Sequence, residues 1–458
     1  MKTETFIQRT PLAATAAEVF GWHERPGGLD RLIPPWEDVC VVSRGQGVGN
    51  GARVELLQRL GPLRLRWVAE HRGCQTGREF RDVQVSGPFA YWEHTHRFEP
   101  RDEGGSLLED RIEYALPGGW VGHFLGKRLV AGKLRRMFRY RHDVTRDDLA
   151  AVSRYGESNT MQIAVTGSHG LLGSTLVPML STAGHQVTRL VRGQPAAGEV
   201  RWDPDGETTD LAPLEGVQAV VHLAGENIAA ARWTAATKQR IRDSRVQGTR
   251  RLSEALAELA TRPQVLISAS AIGYYGDRGE ELLDEQSPAG SGFLADLAEL
   301  WEAAAQPARD AGIRTVHLRF GVILSPRGGA LAKMLTPFKL GAGGRIGNGK
   351  QYWSWISIDD AATAIQHALR TESLSGPVNA VAPHPVTNRE FTRVLGEVLR
   401  RPTLFPMPAL AARLALGEMA NALLLSSTRV VPRALLDSGF HFRHPTLPEA
   451  LRHVLGRS

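Results

Sequence analysis

The stretch MQIAVTGSHGLLGSTLVPMLSTAGHQVTRLVR, Met161 to Arg192, decides the fold. Gln162 to Thr166 is a short β-rich run, and Gly167, Gly170 and Gly173 follow it in G-x-x-G-x-x-G spacing. An apolar helical stretch runs from Leu171 to about Ala183, Gly184 ends it, and Gln186 to Val191 is a second strand. This is one strand–turn–helix–strand unit of a dinucleotide-binding parallel sheet. One glycine makes the tight turn, one lets the backbone approach a pyrophosphate, and one lets helix and strand pack closely. The helix N-terminus adds unpaired N–H groups and a partial positive charge. The nucleotide-contacting candidates of this unit are Gly167, Ser168, Gly170, Leu171, Leu172 and Gly173. The second strand ends in Arg192 with no carboxylate at its tip. An arginine there suits a 2′-phosphate, which favours NADP(H) over NAD(H).

Working downstream, strands and helices alternate. Val200–Asp203, Ala219–Leu223, Val265–Ser268 and Thr315–Phe320 read as strands; Ala235–Leu259 and Gly292–Ala311 read as helices. That alternation implies right-handed crossovers and a parallel sheet with ligands at the strand C-terminal ends. Upstream the pattern differs. Phe6–Pro11 reads as a strand, Ala13–Phe20 and Gly28–Ile33 as short helices, and six β-like runs from Val39 to Ala115 are separated by glycine and proline turns. A long helix closes the block, with Val121, Phe124, Leu125, Leu129, Leu134, Met137 and Phe138 on its expected apolar face and a basic stripe between them. The polar run Asp147–Thr160 reads as a linker. The domains are therefore expected at 1–150, a linker at 151–160, a nucleotide-binding domain at 161–375 and a substrate-side domain at 376–458.

The chain's 458 residues are too many for one typical core. The net charge of +7 is carried by scattered residues, not a basic tail, so it argues for a solvated surface and anionic cofactors and against a nucleic-acid partner. Cys40 and Cys74 make no disulfide framework, which points to a reducing, cytoplasmic setting. No apolar run approaches the ~20 residues of a membrane span. Ala409–Leu425 is instead read as a buried helix or as an interface helix, either of a homodimer or docked on the N-terminal domain. No metal site is expected: His94 and His96 share one strand face without a further ligand spacing, and neither cysteine has a nearby partner.

The N-terminal order of elements, with phrases such as WEHTHRFEP (Trp92–Pro100), resembles the START-like, polyketide-cyclase-like (SRPBCC) fold. That resemblance implies an α+β helix-grip domain with an apolar ligand cavity. His222-Leu223-Ala224-Gly225 and the run Ile267 to Gly276 resemble the extended short-chain dehydrogenase/reductase superfamily. By that resemblance Leu223, Ala224 and Gly225 line the cofactor channel and Ser270 orients a substrate hydroxyl. The superfamily's tyrosine and lysine are missing from the start of the helix at Gly292, where GFLADLAELWE stands. RWDP (Arg201–Pro204), the helix phrase Ile241–Arg250, and Arg319–Asp360 with Gly376–Pro402 closely resemble the YfcH-like, NAD-dependent epimerase-like family, which carries a C-terminal domain of unknown function. The resemblance implies bound NADP(H), an undefined small or nucleotide-linked substrate and no usual Tyr-Lys pair; Tyr275, in Tyr-Gly-Asp, is then the nearest proton-donor candidate. The expected fold is α/β, a Rossmann-type sheet with a small α/β substrate-side domain, preceded by the START-like domain. Three functions stay open: an NADP(H)-dependent oxidoreductase or epimerase, an NADP(H)-binding sensor without turnover, and a lipid-binding or transport protein. Asp359 and Asp360 are expected to cap the following helix, and the glycine-rich Gly341–Gly349 to form a mobile loop over an anionic substrate.

Overall fold

The computed structural model describes residues 2–45, 47–155, 160–204, 206 and 211–457. They group into two compact units, one centred on the residues up to Thr160, the other on Met161–Val177 and His185–Arg457.

The first unit is a seven-stranded antiparallel sheet with three helices. Its elements are β1 (Glu4–Leu12), α1 (Ala16–Glu24), α2 (Gly28–Leu32), β2 (Val39–Arg44), β3 (Arg53–Leu60), β4 (Leu63–Gln75), β5 (Glu79–Ser86), β6 (Tyr91–Pro100), β7 (Ser106–Ala115) and α3 (Gly119–Tyr155). The strand order is β1-β7-β6-β5-β4-β3-β2, a meander whose last strand returns to pair with its first. Side chains alternate faces along a strand. On β6 this buries Trp92, His94, His96 and Phe98 while their neighbours stay partly exposed. A Thr15–Glu18 capping box starts α1, satisfying amide groups that would otherwise lack partners.

Helix α3 grips the sheet with its middle and C-terminal part. Leu134, Phe138, Tyr140 and Val144 are buried, and the Phe138 ring lies 5.5 Å from that of Phe6 on β1. The apolar face expected near its start is not covered: Phe124 is 80% exposed, Leu129 77% and Leu125 69%. On these early turns it is His123 and Lys127, not the apolar side chains, that reach the sheet, both at Glu4 of β1 (3.3 and 2.9 Å). The linker expected at 151–160 also changes. Residues 151–155 continue α3, with Ala151 buried, and 156–159 lie outside the described residues. Between α2 and α3, Arg31 and Asp148 are both buried and joined in a two-pronged ion pair, Nε–Oδ2 2.8 Å and Nη2–Oδ1 2.9 Å.

The second unit is the expected doubly wound sheet. β8 (Gln162–Thr166), β9 (Gln186–Val191), β10 (Glu199–Arg201), β11 (Ala219–His222), β12 (Val265–Ala271) and the strands Arg314–Phe320 and Gly376–Ala380 run in the order β10-β9-β8-β11-β12 and then those two, all parallel. The helices α4 (Gly173–Thr182), α5 (Ala235–Glu258), α6 (Phe293–Ala303) and α7 (Gln306–Asp310) lie between them. Leu190, Val220, Leu252, Leu256 and Leu266 belong to one core cluster that packs α5 on the sheet. Gly376–Ala380 pairs with Arg314–Phe320 and so belongs to this sheet, which moves the boundary expected at 375/376 beyond that strand. The single helix expected over Gly292–Ala311 is two, because Pro307 has no amide to carry the ladder through the join. Ala409–Leu425 is not one buried helix either. Gly417, with φ 64°, ends the helix Ala409–Leu416, and Leu410 and Leu414 are exposed. Among the described residues no helix is long and apolar enough to cross a membrane.

Asp359 and Asp360 do more than cap a helix end. Ser357 is the N-cap of Ile358–Arg370, taking the amide of Asp360 at 3.0 Å. The buried Asp360 carboxylate accepts the backbone N–H groups of Arg443 (2.7 Å) and His444 (3.1 Å), while Asp359 lies 2.8 Å from His453 Nε2. The C-terminal segment is thereby fastened to the helix that follows Trp355–Ser357.

Removing one partner of a buried ion pair leaves an uncompensated charge. Asp148→Ala should therefore lower the stability of the first unit by about 3–5 kcal/mol in denaturant titration, and the double variant R31M/D148L should recover most of that loss.

Candidate functional site

The turn after β8 is shaped by what its glycines lack. Gly167 has φ 66°, and a Cβ there would stand 2.7 Å from the carbonyl carbon of Leu223. A Cβ on Gly173 would stand 2.2 Å from Gly167 O, so α4 could not start so close to β8. Gly170 N–H donates to Gly167 O at 2.9 Å, closing the turn. The two glycine-flanked turns, after β8 and after β11, therefore lie side by side. Thr166 fastens them: its Oγ1 accepts the amides of Leu223 (3.1 Å) and Ala224 (3.2 Å) and bonds His222 Nδ1 at 2.7 Å. His222 Nε2 lies 3.1 Å from Thr249 Oγ1, which also accepts the Trp301 indole N–H at 2.9 Å. Burial pushes the His222 pKa down to about 4, so this ring is neutral and serves as a strut. The RWDP phrase belongs to the same frame, with Trp202 buried edge-on to His222 at 5.6 Å.

Two arginines flank this cradle. Arg192 is exposed at the end of β9, and among the described residues no hydrogen bond or ion pair engages its guanidinium. Arg245, on α5, is a residue that motif reading missed. Its guanidinium would be 3.3 Å from a Cβ on Gly225 and lies over the Trp301 ring at 5.0 Å. It donates to Ile241 O at 3.3 Å but pairs with no carboxylate among the described residues, and burial lowers its pKa to about 10. Its only signal in the sequence was its place in the helix phrase Ile241–Arg250.

On the other side of the sheet tip, Ser270 Oγ donates to Glu302 Oε1 at 2.7 Å. Glu302, on α6, holds Arg319 with two 2.8 Å hydrogen bonds. Arg319 Nη1 donates to the Tyr275 hydroxyl at 3.0 Å, and that hydroxyl donates to Asn379 Oδ1 at 2.8 Å. Arg319 also covers the Tyr274 ring at 3.5 Å. Tyr275 is wholly buried, and burial pushes its pKa up to about 12. The hydroxyl of Tyr275, the proton-donor candidate, is thus enclosed between Arg319 and Asn379. Ser270 is brought to the expected strand end, with its proton committed to Glu302. The glycine-rich loop is tied down as well. Gly347 N–H donates to Met407 O (2.9 Å), Met407 N–H to Arg345 O (2.8 Å) and Ile346 N–H to Asn388 Oδ1 (2.7 Å).

The first unit contains a cavity of about 870 Å³. Its lining includes Leu29, Ile33, Leu56, Trp67 and Met137 together with His71, Asp82, His94 and His96. Arg141 also lines it; its Nε donates to Leu32 O at 3.0 Å.

Fold and site together define a nucleotide-binding sheet of the extended short-chain dehydrogenase/reductase type joined to a helix-grip domain. The chain belongs to the epimerase family. Residues 163–381 match the NAD dependent epimerase/dehydratase family, 407–454 a domain of unknown function (DUF1731), and 12–140 the family described as polyketide cyclase/dehydrase and lipid transport. Epimerase family protein Mb2239 of Mycobacterium bovis is 46% identical over 296 residues, covering 64% of this chain and 98% of that protein. The crystal structure of a nucleoside-diphosphate sugar epimerase from Corynebacterium glutamicum is similar over 98% of this chain and 90% of its own, with 35% identity and a TM-score of 0.82. Human epimerase family protein SDR39U1, solved with NADPH, is 34% identical with a TM-score of 0.60, covering 64% of this chain and 99% of that one.

His222 is held neutral in the fold but takes up a proton near 6.5 when the chain unfolds. Its contribution is therefore complete above pH 6.5 and is lost as pH falls toward 4, a change on the order of 3 kcal/mol. His222→Gln should flatten the pH dependence of the second unit's unfolding free energy over that range, read from denaturant titrations at pH 4.5 to 7.

Proposed function

We propose that the second unit binds NADP(H) and uses it in oxidoreductase or epimerase chemistry on a small or nucleotide-linked substrate. The observation that carries this is the cradle itself: glycines at Gly167 and Gly173 where no Cβ fits, with Arg245 over Gly225 and Arg192 at the end of β9, neither paired with a carboxylate among the described residues. In this reading the backbone of Gly167, Ser168, Gly170, Leu171, Leu172 and Gly173 meets the pyrophosphate, and Leu223, Ala224 and Gly225 line the nicotinamide channel. Arg192 meets the 2′-phosphate, and Arg245 supplies a second positive charge over Gly225. The human relative solved with NADPH supports the same choice of cofactor. The bound cofactor would supply hydride transfer. Ser270 stands at the substrate side, where its oxygen can accept from a substrate hydroxyl while its proton stays on Glu302.

A second reading, an NADP(H)-binding sensor without turnover, is favoured by one observation. The side chain nearest to the missing tyrosine's role, Tyr275, is enclosed in the Arg319–Asn379 network. The first unit would hold an apolar ligand in its cavity, in either a sheltering or a lipid-carrying role. Cys40 and Cys74 are both unpaired, as suits a reducing, cytoplasmic setting. A homodimer interface on the exposed part of Ala409–Leu416 belongs to the same proposal.

Calorimetry on the full chain should find NADPH bound about tenfold or more tighter than NADH, as one charge-assisted contact of 1.5–3 kcal/mol implies. Arg192→Ala should remove that preference and leave NADH affinity unchanged; equal affinity of the unaltered chain for both nucleotides would sink the cofactor assignment. Incubation with sugar nucleotides then separates the two readings: net oxidation would change the nicotinamide absorbance, epimerisation would return the hydride and show only as an altered sugar nucleotide on chromatography, and a sensor would give neither.

A further inference from the structure

The sequence offered only two alternating histidines on one strand; the sheet brings the rest. On β6, His94 and His96 point to the same face. Adjacent β5 places Asp82 directly across from His94, and adjacent β7 places Asp110 across from His96. His94 Nδ1 lies 3.6 Å and His96 Nε2 3.2 Å from the same oxygen of Asp82, and the three ligand atoms all lie within 4.8 Å of one another. Donors about 2.0–2.2 Å from a tetrahedral ion stand about 3.3–3.6 Å apart. The cluster is therefore already close to the spacing an ion would impose.

One carboxylate lies beside the other ring nitrogens. Asp110 Oδ1 lies 2.9 Å from His94 Nε2 and 2.7 Å from His96 Nδ1, the second outside hydrogen-bond geometry. His94 can donate its Nε2–H to Asp110 and turn a lone pair toward Asp82, which is how metal-binding histidines are commonly oriented. Asp110 is itself fixed by His142 Nε2 at 2.8 Å, whose other nitrogen bonds Thr10 Oγ1 at 2.8 Å. His71 Nε2 stands 2.8 Å from the second oxygen of Asp82. The two carboxylates beside these rings, Asp82 and Asp110, carry a charge that a divalent ion would neutralise. Asp82 keeps 23% of its side chain exposed, and it lines the cavity with both histidines.

We propose that His94, His96 and Asp82 form a mononuclear site for a divalent first-row transition ion, with its open positions facing the apolar cavity of the first unit. The nitrogen-rich donor set suits zinc or iron(II) over magnesium or calcium. Open positions there would take an oxygen donor on an otherwise apolar ligand, and Arg141, which lines the same cavity without a carboxylate in hydrogen-bond reach among the described residues, suits an acidic one. Asp110 is a positioning residue for the His94 ring.

The test uses the untagged full chain, stripped with chelator and titrated with cobalt(II), a spectroscopic substitute for zinc. One equivalent should bind and give visible bands of four- or five-coordinate cobalt, and decanoate should shift them. Asp82→Asn should weaken binding at least 100-fold and Asp110→Asn about 10–100-fold, with circular dichroism and nucleotide binding by the other unit unchanged. No uptake of cobalt(II), zinc(II) or iron(II) at micromolar concentration overturns the site. So does uptake that Asp82→Asn leaves intact. Bands indifferent to decanoate overturn the open positions. If Asp82→Asn does not fold, the unaltered chain's cobalt spectrum still decides whether the site exists.

Discussion

The constraint on which the nucleotide turn depends is the approach of Gly173 to Gly167. There is no room for a Cβ between the α4 N-terminus and the Gly167 carbonyl, and none between Gly167 and Leu223. Everything at the sheet tip is set by these two contacts. They bring the turns after β8 and β11 together, Thr166 locks them, and His222 carries the lock through Thr249 to Trp301 on α6. The cradle is thus built of backbone, and its support is a buried polar chain with each member bonded to the next. Such a chain is rigid because each broken link would leave a buried polar group unpaired.

Across the tip, Glu302 and Arg319 occupy the ground between Ser270 and Tyr275. The pair is nearly closed to water and doubly hydrogen-bonded, so it orders its neighbours strongly. Glu302 takes the proton of Ser270, and Arg319 fixes Tyr275 and covers Tyr274. Ser270 and Tyr275 are thereby joined through Glu302 and Arg319 in one hydrogen-bonded network. The first unit solves a similar problem in another way. Asp82 and Asp110 gather histidines from the strands and from α3, and Asp82 lines the unit's cavity.

Much of this was legible in order along the chain. The glycine triplet, the alternation of strands and helices, and the meander before it follow from spacing and turn residues, which are local. Where the reading moved, a non-local reason is visible. Phe124 has helical spacing like Phe138, but on its stretch of α3 the side chains that reach β1 are His123 and Lys127. Gly376–Ala380 looked like the start of another domain, yet its partner is Arg314–Phe320. Arg245 was one arginine among many on α5 until the turn at Gly225 came to rest under it.

The sequence by itself determined the architecture: a helix-grip unit followed by a Rossmann-type sheet, with a nucleotide turn at Gly167–Gly173 and without the tyrosine and lysine expected at Gly292. These are properties of residue type and period, which a chain carries before it folds. Only the tertiary structure decided which polar side chains meet. Tyr275 met Asn379, Asp360 became the anchor of the C-terminal segment, and Asp82 joined His94 and His96. Strand pairing and burial set those encounters, and residues far apart in sequence become neighbours only when the register of the sheets is fixed.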